Sequence, residues 1–160
     1  MGKKESKFIQ GVLSANSLHN PQKYVGKIRD NITYRSSWEL SLIKFLDNDD
    51  SILEWSSEEK VIIYTNPIDK KKHRYFLDFY IKYKNYKGGI TEALVEIKPF
   101  HETQKPVLTE GMSEKSKNYA VVTYLINTAK WNAAREYCKS RNMTFLILTE
   151  KEICMFKEKK

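Results

Sequence analysis

The chain has 160 residues, 41% apolar and 12% aromatic, which suits one domain around a single core and excludes a disordered chain. No apolar run approaches the length of a bilayer span, and no apolar segment follows the basic start as in a secretory signal, so a soluble, non-secreted protein is expected. The formal charge is +8 and unevenly spread: residues 36–68 hold seven carboxylates against two lysines, and residues 69–87 seven cations against two carboxylates.

A basic block beside an acidic one suggests a polyanion met on one face, although a charge run is also what an ordinary solvated surface looks like. Cys138 and Cys154 have no metal-ligand spacing, and His19, His73 and His101 are scattered, so reduced thiols and no zinc site are expected. The start MGKKES places Gly2 and Ser6 as a myristoylation signal does, in a short and common pattern.

Residues 1–30 show no periodicity, and NPQKYVGK within them reads as an extended, basic, turn-rich lead-in. From Ser36 a helix is predicted, with Trp38, Leu42, Phe45 and Leu46 at helical spacing, Ser36 and Glu39 as a capping box, and DNDD as the close. Two short strands follow, ILEW (52–55) and KVIIY (60–64). Residues 73–83 read as one strand, with Tyr75, Leu77, Phe79 and Ile81 on one face and Arg74, Phe76, Asp78, Tyr80 and Lys82 on the other. After the turn signal NYKGG comes a strand over 90–98, in which Leu94, Glu96 and Lys98 share a face. Residues 113–141 are helical, as two pieces or one bent helix, with Leu125, Ile126, Ala129, Ala133, Ala134 and Tyr137 as the apolar set. TFLILT (144–149) predicts a last strand and KEICMF a terminal helix. The three tryptophans, Trp38, Trp55 and Trp131, sit at core-like positions. This order argues for a mixed α/β domain around one central sheet.

The hairpin brings chemistry together. A turn centred near residue 87 or 88 sets Asp78 opposite Glu96 or Lys98, so two carboxylates and an amine converge on one spot of the sheet. Three readings fit. The first is a partly buried ion pair of Lys98 with Asp78 or Glu96, which leaves one carboxylate uncompensated. The second is a metal-free hydrolytic acid pair. The third is a Mg²⁺ site of Asp78, Glu96 and the main-chain carbonyl of Ile97, with Lys98 serving the attacking water and the phosphate. Glu39 is a capping residue by spacing alone.

Asp78 followed by Glu96-Ile97-Lys98 looks like the core of the PD-(D/E)xK nucleases, although no proline precedes Asp78 and Leu77 stands there instead. The surroundings are more specific: NPQKYVG, ITYRSSWEL, ILEWSSEE, HRYFLDFYIK, VEIKPFHETQKP, AKWNAAREYC and FLILTEKE occur in order. Together they resemble the head completion nucleases of T-even-type tailed phages, relatives of the TnsA-type transposon endonucleases, over residues 20–152. The resemblance implies a restriction-endonuclease-like α/β fold, a mixed central sheet flanked by helices, with the nuclease domain over 31–160 behind a 1–30 extended basic segment. It implies catalytic Glu39, Asp78, Glu96 and Lys98, with Mg²⁺, or Mn²⁺ in its place, held by Asp78, Glu96 and Ile97. Gln104, in ETQKP, takes a structural or DNA-contact role.

Lys70, Lys71, Lys72, Arg74 and Lys82, with Lys27 and Arg35, are the candidate phosphate contacts, against a plain solubilising role. The expected function is a metal-dependent DNA endonuclease acting in phage head completion, on double-stranded or branched DNA without sequence preference. Head, portal or neck proteins are the expected partners, no membrane is, and the expected place is the virion or the host cytoplasm. The alternatives are a virion neck protein that acts by binding, and a transposon end-cleaving subunit.

Overall fold

The computed structural model describes residues 10–157, so the Gly2–Ser6 start lies outside the described residues. In chain order the elements are β1 (Gly11–Leu13), β2 (Ile32–Tyr34), α1 (Ser37–Asn48), β3 (Ile52–Ser57), β4 (Val61–Thr65), β5 (Lys72–Phe76), β6 (Phe79–Lys84), β7 (Ile90–Ile97), α2 (Glu114–Ser140), β8 (Thr144–Leu148) and α3 (Glu150–Lys157). The central sheet has the order β3-β6-β7-β8; its first three strands are antiparallel and β8 runs parallel to β7. A parallel neighbour needs a crossover, and α2 supplies it as one uninterrupted helix.

Helices cover both faces of this sheet. On one, α1 packs with α3 over Phe79, Ile81, Ala93 and Val95, around the fully buried Trp55. On the other, Trp131, Ala134 and Cys138 of α2 cover Tyr80 and Leu94. The most buried stripe of α2 is Asn127, Trp131, Ala134 and Cys138; Ile126, Ala129, Ala133 and Tyr137 of the expected apolar set pack beside it, and Leu125 is 43% exposed. A buried amide in the stripe disguised its position.

The segment expected as one strand over 73–83 is two strands in two sheets. Strand β5 pairs only with β4, as a separate ribbon, and β6 belongs to the central sheet. The ribbon continues the β3–β6 pair around a corner. Ser57 pairs with Phe79 on one side of it and Val61 with Phe76 on the other. Three residues, Glu58 to Lys60, thus oppose two, Leu77 and Asp78, which is the count of a β-bulge. Glu58 takes a left-handed φ of 56°, its N–H donates to the Asp78 carbonyl at 3.0 Å, and the Leu77 N–H donates to Lys60 at 2.9 Å. The corner also shifts the alternation. Tyr75 and Leu77 point to the α2 side, while Phe79 and Ile81 point to the α1 side. The four were expected on one face, an expectation that assumed an unbroken strand.

The turn between β6 and β7 is as the NYKGG signal promised. Asn85 Oδ1 accepts from the N–H groups of Lys87 and Gly89, and Gly88 supplies the φ of +81° that other residues resist. Phe79 pairs with Val95 and Tyr80 with Leu94, a register that sets Glu96 next in line with Asp78.

Residues 10–30 are integrated into the body. Ala15 and Tyr24 are core residues, and Tyr24 meets Trp55 edge-on at 4.8 Å and bridges to β3. Short 3₁₀ turns place these side chains, which is why no period announced them. Buried Asp47, near the end of α1, clasps the segment by accepting the N–H groups of His19 and Asn20, both at 2.8 Å. Asp47→Ala should leave both donors unpaired and cost about 2 kcal/mol. In limited proteolysis the first cuts should then fall within residues 14–24.

Candidate active site

Four chain segments meet where β6 begins and β7 ends. The corner delivers Asp78, the end of β7 delivers Glu96 and Ile97 with Lys98 just beyond it, α1 delivers Glu39 at its first turn, and β5 delivers Tyr75. The Asp78 carboxylate takes the ladder position that β6 vacates, accepting the Ile97 N–H at 2.7 Å through Oδ2. Glu96, 7% exposed, accepts the Tyr75 hydroxyl on Oε2 at 2.8 Å and has the Lys98 ammonium 3.5 Å from Oε1. The ion pair expected for Lys98 is thus made with Glu96, and Asp78 is the carboxylate left over.

The electrostatics follow from that. Burial raises the Asp78 carboxyl and the Glu96 charge raises it further, with a smaller contribution from Glu39, to about 8 despite the Ile97 N–H and Lys98. Burial also raises Glu96, even though Lys98, the Tyr75 hydroxyl and Lys130 all favour its charged form. Tyr75 itself is pushed far above its usual range, by burial first and by Glu96 second. The Trp131 indole N–H acts on the Tyr75 oxygen but lies outside hydrogen-bond geometry, and it is a buried donor with no acceptor among the described residues.

Two neighbouring carboxylates that resist ionising together form a place for a cation. No group of three or more His, Cys, Asp or Glu side chains suited to a metal occurs among the described residues, so a cation here would have to draw on two carboxylates and a main-chain oxygen. The N–H and C=O of one strand residue project to the same edge, so the Ile97 carbonyl leaves the strand toward Asp78, where its N–H already points. An all-oxygen donor set of two carboxylates and one carbonyl suits a hard divalent ion that keeps several waters.

Residues 49–150, most of the chain, match the family described as TnsA-like endonuclease N terminal. The chain belongs to the TnsA-like endonuclease family. It is also 39% identical over 135 residues to the head completion nuclease of Enterobacteria phage T4, covering 82% of this chain and 86% of that protein. The mixed sheet between helices is the restriction-endonuclease-like fold this TnsA-like endonuclease was expected to have.

Of the residues singled out in the sequence, Glu39, Asp78, Glu96, Ile97 and Lys98 gather here. Glu39 is both cap and neighbour. Ser36 Oγ accepts its N–H at 3.1 Å, its Oε2 accepts the Arg35 N–H at 2.9 Å, and its charge reaches Asp78. Arg35 stands at the edge of the site, paired with Glu58 of the corner. Gln104 lines a cleft that opens from Lys98. Lys70, Lys71, Lys72 and Arg74 are exposed on the β4–β5 ribbon. Lys82 lies elsewhere, four residues along β6, between Glu54 and Glu92 on the flanking strands. Lys27 is exposed in the loop before β2. The basic block is therefore divided by Asp78 into two groups at different places.

Tyr75, Lys130 and Trp131 were missed as site residues. Tyr75 alternated like any core residue. Lys130, whose ammonium lies 5.4 Å from the Tyr75 ring centroid, carried no local mark, because its partners are 55 and 34 residues away in sequence, at Tyr75 and Glu96.

The raised Asp78 group has a signed consequence. The folded state holds its proton more tightly than the unfolded chain, so this contribution to stability is complete below a pH of about 4 and is lost as pH rises through about 8. In chelator, Asp78→Asn should therefore gain on the wild type as pH rises from 5 to 8.5. The gain should reach at most about 4 kcal/mol, or roughly 10 °C in melting temperature.

Proposed function

We propose that this chain is a Mg²⁺-dependent endonuclease that hydrolyses DNA phosphodiester bonds and, like the related protein of phage T4, serves in completing phage heads. The observation that carries the reading is Asp78 and Glu96 side by side, both resisting ionisation, with Lys98 against Glu96 at the mouth of a cleft. A bound divalent ion supplies charge neutralisation at the phosphate and a more acidic water. Asp78, Glu96 and the Ile97 carbonyl are the groups that would hold it.

The rest is done by the chain itself. Lys98, its side chain 27% exposed, is anchored by Glu96 and still reaches solvent. It therefore orients the attacking water and stabilises the charge that grows on the phosphate oxygens. Tyr75 fixes Glu96 through Oε2, leaving Oε1 toward Lys98. Glu39 orders the first turn of α1 and adds negative charge beside Asp78. The cations of the β4–β5 ribbon, Lys70 to Arg74, meet the DNA backbone without reading bases.

The test is to incubate supercoiled and branched DNA with the protein, in Mg²⁺ and in EDTA. Cleavage should need Mg²⁺, and Asp78→Asn, Glu96→Gln and Lys98→Ala should each slow it by roughly 100-fold or more. Glu39→Gln preserves much of the cap, so it should melt like the wild type and still lose cleavage. Cleavage that persists in EDTA or in the Lys98 variant contradicts this site. No turnover of any substrate by the wild type favours a protein that acts by binding.

A further inference from the structure

A cleft of about 770 Å³ opens from Lys98, between the segment after β7 and the first half of α2. That volume falls within the ~300–1,000 Å³ of ligand clefts. Its walls carry one carboxylate, Glu102, and apolar side chains such as Phe100 and Val107, beside three chemistries that suit a nucleic acid. Lys98 and Lys105 provide positive charge, Tyr119 and Tyr124 provide aromatic surface, and Gln104 and Asn127 provide amides. Tyr119 is 74% exposed, so its ring face is open to stacking at the cleft wall. Asn127 is the opposite case: it is 8% exposed, lines the cleft, and its amide makes no hydrogen bond to another described residue. Among the described residues the fully buried, unpaired side-chain atoms are the Trp55 and Trp131 indole N–H groups, so the Asn127 amide opens onto the cleft, with two donors and an acceptor free for a group that enters it. The floor is fixed in place, since Glu150 accepts the Phe100 N–H at 2.8 Å and the Lys151 ammonium lies 3.4 Å from the Phe100 ring centroid.

A duplex offers phosphates and groove edges, but pairing occupies the Watson–Crick edges of its bases and stacking covers their faces. An unpaired base offers a face to stack and an edge that both donates and accepts hydrogen bonds, which is what an exposed tyrosine and a buried amide together receive. We propose that this cleft binds the unpaired strand that leaves the scissile phosphate of a branched DNA, with a base stacked on Tyr119 and a base edge hydrogen-bonded to Asn127. The nuclease then recognises a junction between paired and unpaired DNA. This rests on the nuclease reading, because Lys98 is the residue common to the cleft and the proposed chemistry.

The test is fluorescence anisotropy in EDTA with the full chain, a labelled splayed-arm duplex, and a blunt duplex of the same sequence and length. The wild type should bind the splayed-arm DNA about tenfold more tightly. Tyr119→Ala and Asn127→Ala, checked by thermal melting, should bring that ratio close to one. Tyr86→Ala, an exposed tyrosine at the β6–β7 turn, should keep it. Equal binding of the two DNAs by the wild type overturns the proposal, as it would if a protein segment filled the cleft. So does a ratio that survives in Tyr119→Ala, or one lost equally in Tyr86→Ala. Mg²⁺-dependent cleavage with no binding preference would leave the nuclease standing without the cleft. A preference with no cleavage of either DNA would do the reverse.

Discussion

Asp78 and Glu96 repel each other, and the local architecture is arranged to hold them together anyway. Neither can move away: Asp78 is pinned to the Ile97 N–H, and Glu96 to the Tyr75 hydroxyl. Lys98 compensates Glu96 only in part, and Asp78 keeps its raised affinity for a proton. A site built for packing alone would do better with apolar residues here, since incompletely paired buried charge is costly. The arrangement makes sense when a second positive charge arrives, which a divalent ion provides. That unrelieved repulsion is what the proposed cation would answer, while Lys98 is held by Glu96 and Glu39 by its cap.

The bulge at the corner is what makes the repulsion possible. Had β5 run straight into β6, Asp78 would have paired in the ladder and pointed out of the sheet. Three residues against two turn the strand, end the β6 ladder at Phe79, and free the Asp78 carboxylate to lie in the plane of the sheet against the Ile97 N–H. The same turn swings Tyr75 to the α2 side, where its hydroxyl meets Glu96. One local distortion therefore positions both Asp78 and the hydroxyl that holds Glu96.

Much of this was legible in the sequence, and the exceptions have physical reasons. The NYKGG turn and the alternation of ALVEIK narrowed the β6–β7 register to Asp78 opposite Glu96 or Lys98, and the pairing of Phe79 with Val95 sets it in line with Glu96. Glu39 showed its cap but not its neighbour, because a capping box is local and its approach to Asp78 is not. The corner was invisible, since HRYFLDFYIKY alternates without a break and the extra residue sits on the partner strand, at Glu58–Lys60. Asn127 disguised the buried stripe of α2 because a buried amide reads as a surface position. Ala15 and Tyr24 are core residues placed by turns, which have no period to detect.

The central claim is best tested by locating the cation directly. Crystals of the protein grown with Mn²⁺ should show one anomalous peak or a close pair, bonded to Asp78, Glu96 and the Ile97 carbonyl at about 2.2 Å. Lys98 should remain beside Glu96 at the edge of the coordination shell. A peak elsewhere, or no peak with the Lys98 ammonium lodged between the two carboxylates, would mean that the pair is neutralised from within and that the account is wrong.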